Sequence, residues 1–159
     1  MHEKFILLDI DGVMVPANSW KRVEIDVDGF YKFNPNSQLE LNRLLMQSGA
    51  IIILTTTHRS KYNKYKWNEI LRSRLKYTFD VRIIDDYLAF KSENNNRFNE
   101  IMQWGVGPGQ NNQYVILDDD KSLYNLPYHI KEHWVPIQPM IGLNKETATQ
   151  ALKILNDLV

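Results

Sequence analysis

The sequence of 159 residues contains no cysteine. That absence excludes a disulfide scaffold and any thiolate metal site, and it fits a reducing compartment. Net charge is also missing: nineteen basic residues balance nineteen acidic ones, so any preference for nucleic acid or a membrane surface must come from a local patch. Long apolar runs are absent as well. The apolar run near the N-terminus, Phe5 to Leu8, is cut by Asp9, too short and too soon charged for a signal peptide or a spanning helix. No internal repeat, low-complexity segment or linker is evident. A soluble, cytoplasmic, single-domain protein spanning residues 1–159 is expected, and 43% hydrophobic content suffices for its core.

What is present centres on FILLDIDGVMVP, Phe5 to Pro16. The apolar start reads as a buried strand, and it breaks into Asp9-Ile10-Asp11-Gly12. Strand alternation would send Asp9 and Asp11 to one side, where two like charges call for a cation or a shared proton between them. Beyond them, Val23, Ile25 and Val27 alternate with charged residues up to Asp28-Gly29, predicting a hairpin flap at about 15–34. A helix capped by Asn36 or Ser37 follows, with Leu39, Leu41, Leu44, Leu45 and Met46 as its buried face and Gly49 as its end.

Three further apolar runs read as strands. Ala50 to Leu54 ends in Thr55-Thr56-Thr57-His58-Arg59; alone, the threonines read as a plain strand end, and His58 as a structural or exposed residue. Val81 to Ile84 leads to Asp85-Asp86, a rival acidic pair of lower rank. Tyr114 to Leu117 ends in Asp118-Asp119-Asp120, three acids that need a cation nearby or else cap a turn over Lys121 to Leu126. A helix over Arg97 to Trp104, a last short strand over His133 to Ile137 and a C-terminal helix capped by Asn144 complete the pattern. Lys91 and Arg97 stand before or at the first residue of their helix.

Between Arg59 and Tyr77 the chain is basic and aromatic: Arg59, Lys61, Lys64, Lys66, Arg72, Arg74 and Lys76 among Tyr62, Tyr65, Trp67 and Tyr77, opposed only by Glu69. This segment, 59–77, is the part suited to a nucleic-acid strand; its plainer reading is an amphipathic helix whose rings pack on the sheet.

Alternating strands and helices predict an α/β fold, a doubly wound, Rossmann-like parallel sheet with helices on both faces and ligands at the carboxyl ends of the strands. Asp-x-Asp, Thr-Thr-Thr and Asp-Asp-Asp then converge on one crevice fit for a divalent cation and a phosphoryl group.

In this arrangement the chain resembles the haloacid dehalogenase-like (HAD) superfamily, and in particular its small, minimally capped members associated with RNA-repair proteins. The resemblance rests on Asp9-Ile10-Asp11-Gly12-Val13, on Thr55 after its strand, on Asp118-Asp119, on Arg97 in RFNEIMQW and on the ending GLNKETATQALKIL. It implies a phosphatase using Mg2+, with Asp9 as nucleophile and Asp11 as general acid and base. The metal would be held by Asp9, the Asp11 carbonyl and one of Asp118 or Asp119. Thr55, or Thr56 one place on, would bind the phosphoryl oxygens with Arg97 or, failing it, Lys91. The minimal cap implies an open site for a phosphorylated substrate such as a nucleic-acid 3′- or 5′-phosphate. The alternative is a catalytically quiet module that binds a phosphorylated ligand or nucleic acid on the same fold. A third reading is a signalling receiver domain, in which an acidic pair ends the first strand and the phosphorylated aspartate ends the third; here Asp-x-Asp ends the first strand and a threonine cluster follows Leu54.

Overall fold

A computed structural model describes residues 3–17, 22–78, 80–90 and 96–156. Five strands form its sheet: β1 (Lys4–Leu8), β2 (Ile51–Leu54), β3 (Val81–Ile83), β4 (Gln113–Asp118) and β5 (Trp134–Pro136). Their order is β3-β2-β1-β4-β5 and every pairing is parallel, so β1 lies at the centre. Among the described residues there are five α-helices: α1 (Pro35–Ser48), α2 (Lys64–Arg74), α3 (Arg97–Val106), α4 (Tyr128–Lys131) and α5 (Lys145–Asn156).

Strand alternation sorts the apolar residues into two cores. Ile6, Leu8, Ile52, Leu54, Val115 and Leu117 pack under Leu41 and Leu44 of α1, Trp67 and Ile70 of α2, and Ala148 and Leu155 of α5. Phe5, Leu7, Ile53, Tyr114 and Ile116 pack on the other face with Ile101 and Trp104 of α3 and Ile130 of α4. The sheet is therefore covered on both faces, which is why β1, β2 and β4 read as unbroken apolar runs. The predicted doubly wound α/β sheet is what the structure contains.

Several boundaries differ from the sequence reading. Asn34, not Asn36 or Ser37, caps α1: its side chain accepts from Ser37 N at 3.1 Å and Pro35 opens the helix. Ser37 is instead buried, its hydroxyl donating to Leu143 O at 2.8 Å. Leu39 and Met46 are exposed, since only Leu41, Leu44 and Leu45 share the inward arc at helical spacing. Gly49 ends α1 in the left-handed region as expected. The strand expected at Val81 to Ile84 stops at Ile83, and Asp85 and Asp86 lie in a helical turn over Ile84–Tyr87.

The flap is a short hairpin. Asp26 N donates to Phe30 O at 2.7 Å and Lys32 N to Glu24 O at 2.8 Å around the Asp28-Gly29 turn. Val23, Ile25 and Val27 face solvent; Phe30 and Phe33 are its buried residues. What pins it is Arg74 of α2. That guanidinium takes Asp28 at 2.7 and 2.9 Å and donates to the carbonyls of Tyr31 and Phe30 at 3.0 and 3.3 Å. The edge of Phe30 meets Trp67 at a ring-centroid distance of 5.1 Å. No helix among the described residues is long and apolar enough to cross a membrane.

Candidate active site

Parallel pairing brings the ends of β1, β2 and β4 side by side, and the next residue of each carries a polar group. β1 stops at Leu8. Asp9 is held by its N–H to Leu117 O at 3.1 Å, and its carboxylate accepts from Ile10 N at 2.8 Å. The chain then winds tightly, with the N–H groups of Val13, Met14 and Val15 all donating to Ile10 O at 2.9 to 3.1 Å. Gly12 turns at φ +80°, and a Cβ there would collide with Asp119 Oδ2.

Asp9 and Asp11 do not share an environment. Asp9 is 7% exposed, whereas the Asp11 side chain is 57% exposed. Asp11 Oδ2 lies 2.8 Å from His58 Nε2. Alternation fails as a guide because the strand ends before either aspartate, and the like-charge partner of Asp9 is Asp118 rather than Asp11.

Asp118 ends β4 fully buried, accepting from Asp120 N at 3.0 Å, while its carbonyl takes the indole N–H of Trp134 at 3.0 Å. One carboxylate oxygen from each of Asp9, Asp118 and Asp119 lies within 4.8 Å of the others. Asp120 turns away to cap the following turn, accepting from Ser122 N at 2.9 Å. Into the cluster comes Arg97, the first residue of α3, placed by Asn96, whose side chain accepts from Asn99 N at 2.8 Å. Arg97 Nη1 donates to Asp118 Oδ2 and stands 3.6 Å from Asp9 Oδ2.

Burial pushes the Asp9 carboxyl up to about 8, the Asp118 charge adds to the rise, and Arg97 only partly opposes it. Burial raises Asp118 too, again against Arg97. For Arg97 itself burial works against the charge, but Asp118 and Asp9 outweigh it and its pKa is raised. Three carboxylates against one guanidinium leave an acid surplus, and hard oxygen donors at this spacing suit a divalent cation.

The end of β2 adds hydroxyls. Thr55 and Thr56 are fully buried. Thr56 Oγ1 accepts from His58 N at 3.2 Å, capping the helical turn Thr57–Lys61. Thr55 Oγ1 has no hydrogen-bond partner, and neither does Arg97 Nε. Two buried donors without acceptors beside an acidic cluster are what an anionic ligand would satisfy.

Three residues of this site were missed in the sequence. His58, read as structural or exposed, touches Asp11. Arg59, read as one of a basic run, turns inward: it donates to Thr55 O at 3.0 Å and Thr56 O at 3.2 Å, and meets Asp85 at 2.9 Å. Glu100, buried on α3, pairs with Arg59 Nη2 and lies 3.7 Å from Arg97 Nε. Its sequence signal was its place three residues after Arg97, on the same helix face. Lys91 lies outside the described residues.

Residues 5–148 match the family described as the HAD domain in Swiss Army Knife RNA repair proteins. The chain belongs to that family. Comparison with curated proteins gives no match. Membership in this HAD family agrees with the parallel order of the sheet and with a phosphohydrolase class of fold, and the Asp9, Asp118 and Asp119 cluster can bind a divalent metal.

Around this HAD crevice the basic segment divides in two. Arg59 and Arg74 are spent on internal ion pairs, and Trp67 is buried. Lys61 stays at the rim, 5.9 Å from the centre of the Tyr31 ring, and Tyr65 is exposed. Lys64 and Lys66 reach Asp80 and Glu69 at 3.9 and 3.7 Å. A groove of about 1050 Å³ lies between the flap and α1, lined by Val23, Leu39 and Met140 among others, and none of the clustered aspartates faces it.

Proposed function

We propose that the protein is a Mg2+-dependent phosphomonoester hydrolase working through an aspartyl-phosphate on Asp9. The observation that carries this reading is the juxtaposition at one crevice of a buried acidic cluster with two unpartnered buried donors, Thr55 Oγ1 and Arg97 Nε.

Asp9 is the attacking group. Its Oδ bonds to phosphorus as the bond from phosphorus to the leaving oxygen breaks, and Asp11 gives that oxygen a proton. Asp11 then takes a proton from water, the water oxygen bonds to phosphorus, and the bond between Asp9 and phosphorus breaks to release phosphate. Asp11 suits this work because it is exposed at the mouth and oriented by His58. Thr55 and Arg97 hold the phosphoryl oxygens as charge builds on them, with Lys91 as the other candidate cation. Thr55 is preferred to Thr56, whose hydroxyl already accepts from His58 N. Held by Asp9, the Asp11 carbonyl and Asp118 or Asp119, Mg2+ would supply the positive charge that lets an anionic carboxylate approach an anionic phosphate.

The substrate we infer is a terminal phosphate on a nucleic-acid strand. A short flap leaves the crevice open, Lys61 and Tyr31 stand at its rim beside His58, and the family description names RNA repair proteins. The chain would act as one domain in the cytoplasm. Phenyl phosphate and oligonucleotides carrying 3′- or 5′-phosphates, each with Mg2+ and with EDTA, test the reading. Metal-dependent release of phosphate, lost in Asp9→Asn, supports it. Binding without turnover in the wild type would overturn it in favour of a quiet binding module.

A further inference from the structure

Glu100 is a buried carboxylate that the reaction above does not use, and charge balance does not call for it. Arg59 already has Asp85 at 2.9 Å and two carbonyls; Arg97 already has Asp118 and, at 3.6 Å, Asp9. Four carboxylates thus surround two guanidinium groups, and a neutral residue at position 100 would bring the charges nearer to equality. A carboxylate is costly to bury where its charge is surplus. Its justification has to be geometric.

The geometry is a chain of contacts. Arg59 grips the carbonyls of Thr55 and Thr56 at the end of β2, and its own carbonyl accepts the indole N–H of Trp67 at 3.0 Å, fixing it from α2. Its Nη2 donates to Glu100 Oε2. Glu100 Oε1, on α3, faces Arg97 Nε at 3.7 Å, while Arg97 Nη1 faces Asp9, just after β1, and Asp118, the last residue of β4. One planar guanidinium is thereby bonded to Asp118 at one edge and faced by Glu100 at ion-pair distance at the other, where its Nε–H makes no hydrogen bond. The end of β2, carrying the threonines, is tied through one carboxylate to the helix that carries the arginine.

We propose that Glu100 is a positioning residue that fixes the orientation of Arg97 relative to Thr55, so that both present to the same phosphoryl group. Its catalytic consequence rests on the phosphatase reading above; its structural content does not. The loss of Glu100 leaves Arg97 drawn to Asp118 and Asp9 alone, free to turn about that contact.

The test is NMR of the arginine Nε–H groups in the full chain, with Arg74 as internal control, alongside phosphatase kinetics. In Glu100→Gln, hydrogen exchange at Arg97 Nε–H is expected to quicken at least about tenfold, with Arg74 unchanged, and kcat for phenyl phosphate to fall more than KM rises. A response at Arg59 with none at Arg97 overturns the proposal, because Glu100 would then serve Arg59 alone. Loosened Arg97 with undiminished kcat overturns it as well. If the wild type shows no turnover yet Arg97 loosens, the positioning stands and the phosphatase reading falls. Should Glu100→Gln fail to fold, Arg59→Lys keeps a charge against Glu100 but cannot hold both carbonyls, and the same quickening at Arg97 is expected, by a smaller factor; its absence overturns the proposal.

Discussion

Two buried arginines, each opening or closing a helix and each paired with aspartate, stand in opposite conditions. Arg74 closes α2 and has acceptors for all its nitrogens: Nε on Tyr31 O, Nη1 on Asp28, Ile70 O and Ser73 Oγ, Nη2 on Asp28 and Phe30 O. Arg97 opens α3 with Nε unpartnered among more carboxylates than it can match. The aspartates record the difference. The hydrogen bond from Arg74 holds Asp28 down to about 2, whereas burial pushes Asp9 up to about 8 although a guanidinium is near. A saturated arginine fastens the flap; an unsaturated one in an acid surplus stands where the proposed cation and phosphoryl group would sit.

Five substitutions and one pH series bear on that contrast. The largest effect is expected at Asp9: Asp9→Asn should lower phosphatase turnover by roughly 10⁴-fold or more, the scale on which a lost nucleophile registers. Asp11→Asn, by contrast, should spare Mg2+ binding, measured calorimetrically, more than it spares turnover.

Next, Arg74→Met should cost about 3 kcal/mol in urea denaturation, because it strands Asp28 and frees the flap. Millimolar MgCl2 should recover none of that loss. Arg97→Met should also be destabilised in EDTA, yet regain stability with MgCl2, since a cation can take over the neutralisation of Asp9 and Asp118. Equal responses of the two variants to MgCl2 would erase the distinction between the arginines.

The pH dependence follows from the shifts. Between the ordinary carboxylate value and about 8 the folded, metal-free protein keeps a proton on Asp9 that the unfolded chain has released. Folded protein binds more protons there, so its stability falls as pH rises through that window. Asp28 acts in reverse, its contribution fading only as pH drops toward about 2. Thermal melts in EDTA should therefore decline from pH 5 to 8, as roughly set by this linkage, less steeply in Asp9→Asn. The gain from MgCl2 should be larger at the upper end. The smallest effect is expected at His58: His58→Ala should lower kcat about tenfold with KM little changed, as the 2.8 Å support of Asp11 is lost.

The sheet was legible because both of its faces are buried, which writes β1, β2 and β4 as plain apolar runs, and their polar ends named Asp9, Thr55, Asp118 and Asp119. Arg97 was legible only through the resemblance of RFNEIMQW to small HAD members associated with RNA-repair proteins, since its place at the start of a helix is equally that of a solvated charge. His58, Arg59 and Glu100 were not, because each works through a partner distant in the chain: 47 positions separate His58 from Asp11, and 41 separate Arg59 from Glu100. The inward turn of Arg59 and Arg74 was hidden for a similar reason. Within 59–77 only Glu69 opposes the basic residues, whereas Asp28, Asp85 and Glu100 reach them from elsewhere.

Gly12 carries a last consequence. The space where a methyl group would stand is filled by the Asp119 carboxylate, with Pro139 Cβ 3.2 Å away. The loop after β1 is thus cast against the loop after β4, one as mould and the other as fill. A side chain added at position 12 would be felt first as a displaced acid rather than as a strained turn. The two loops can change only in concert, and the position of the Asp119 carboxylate is set by a carbon atom that the chain does not have.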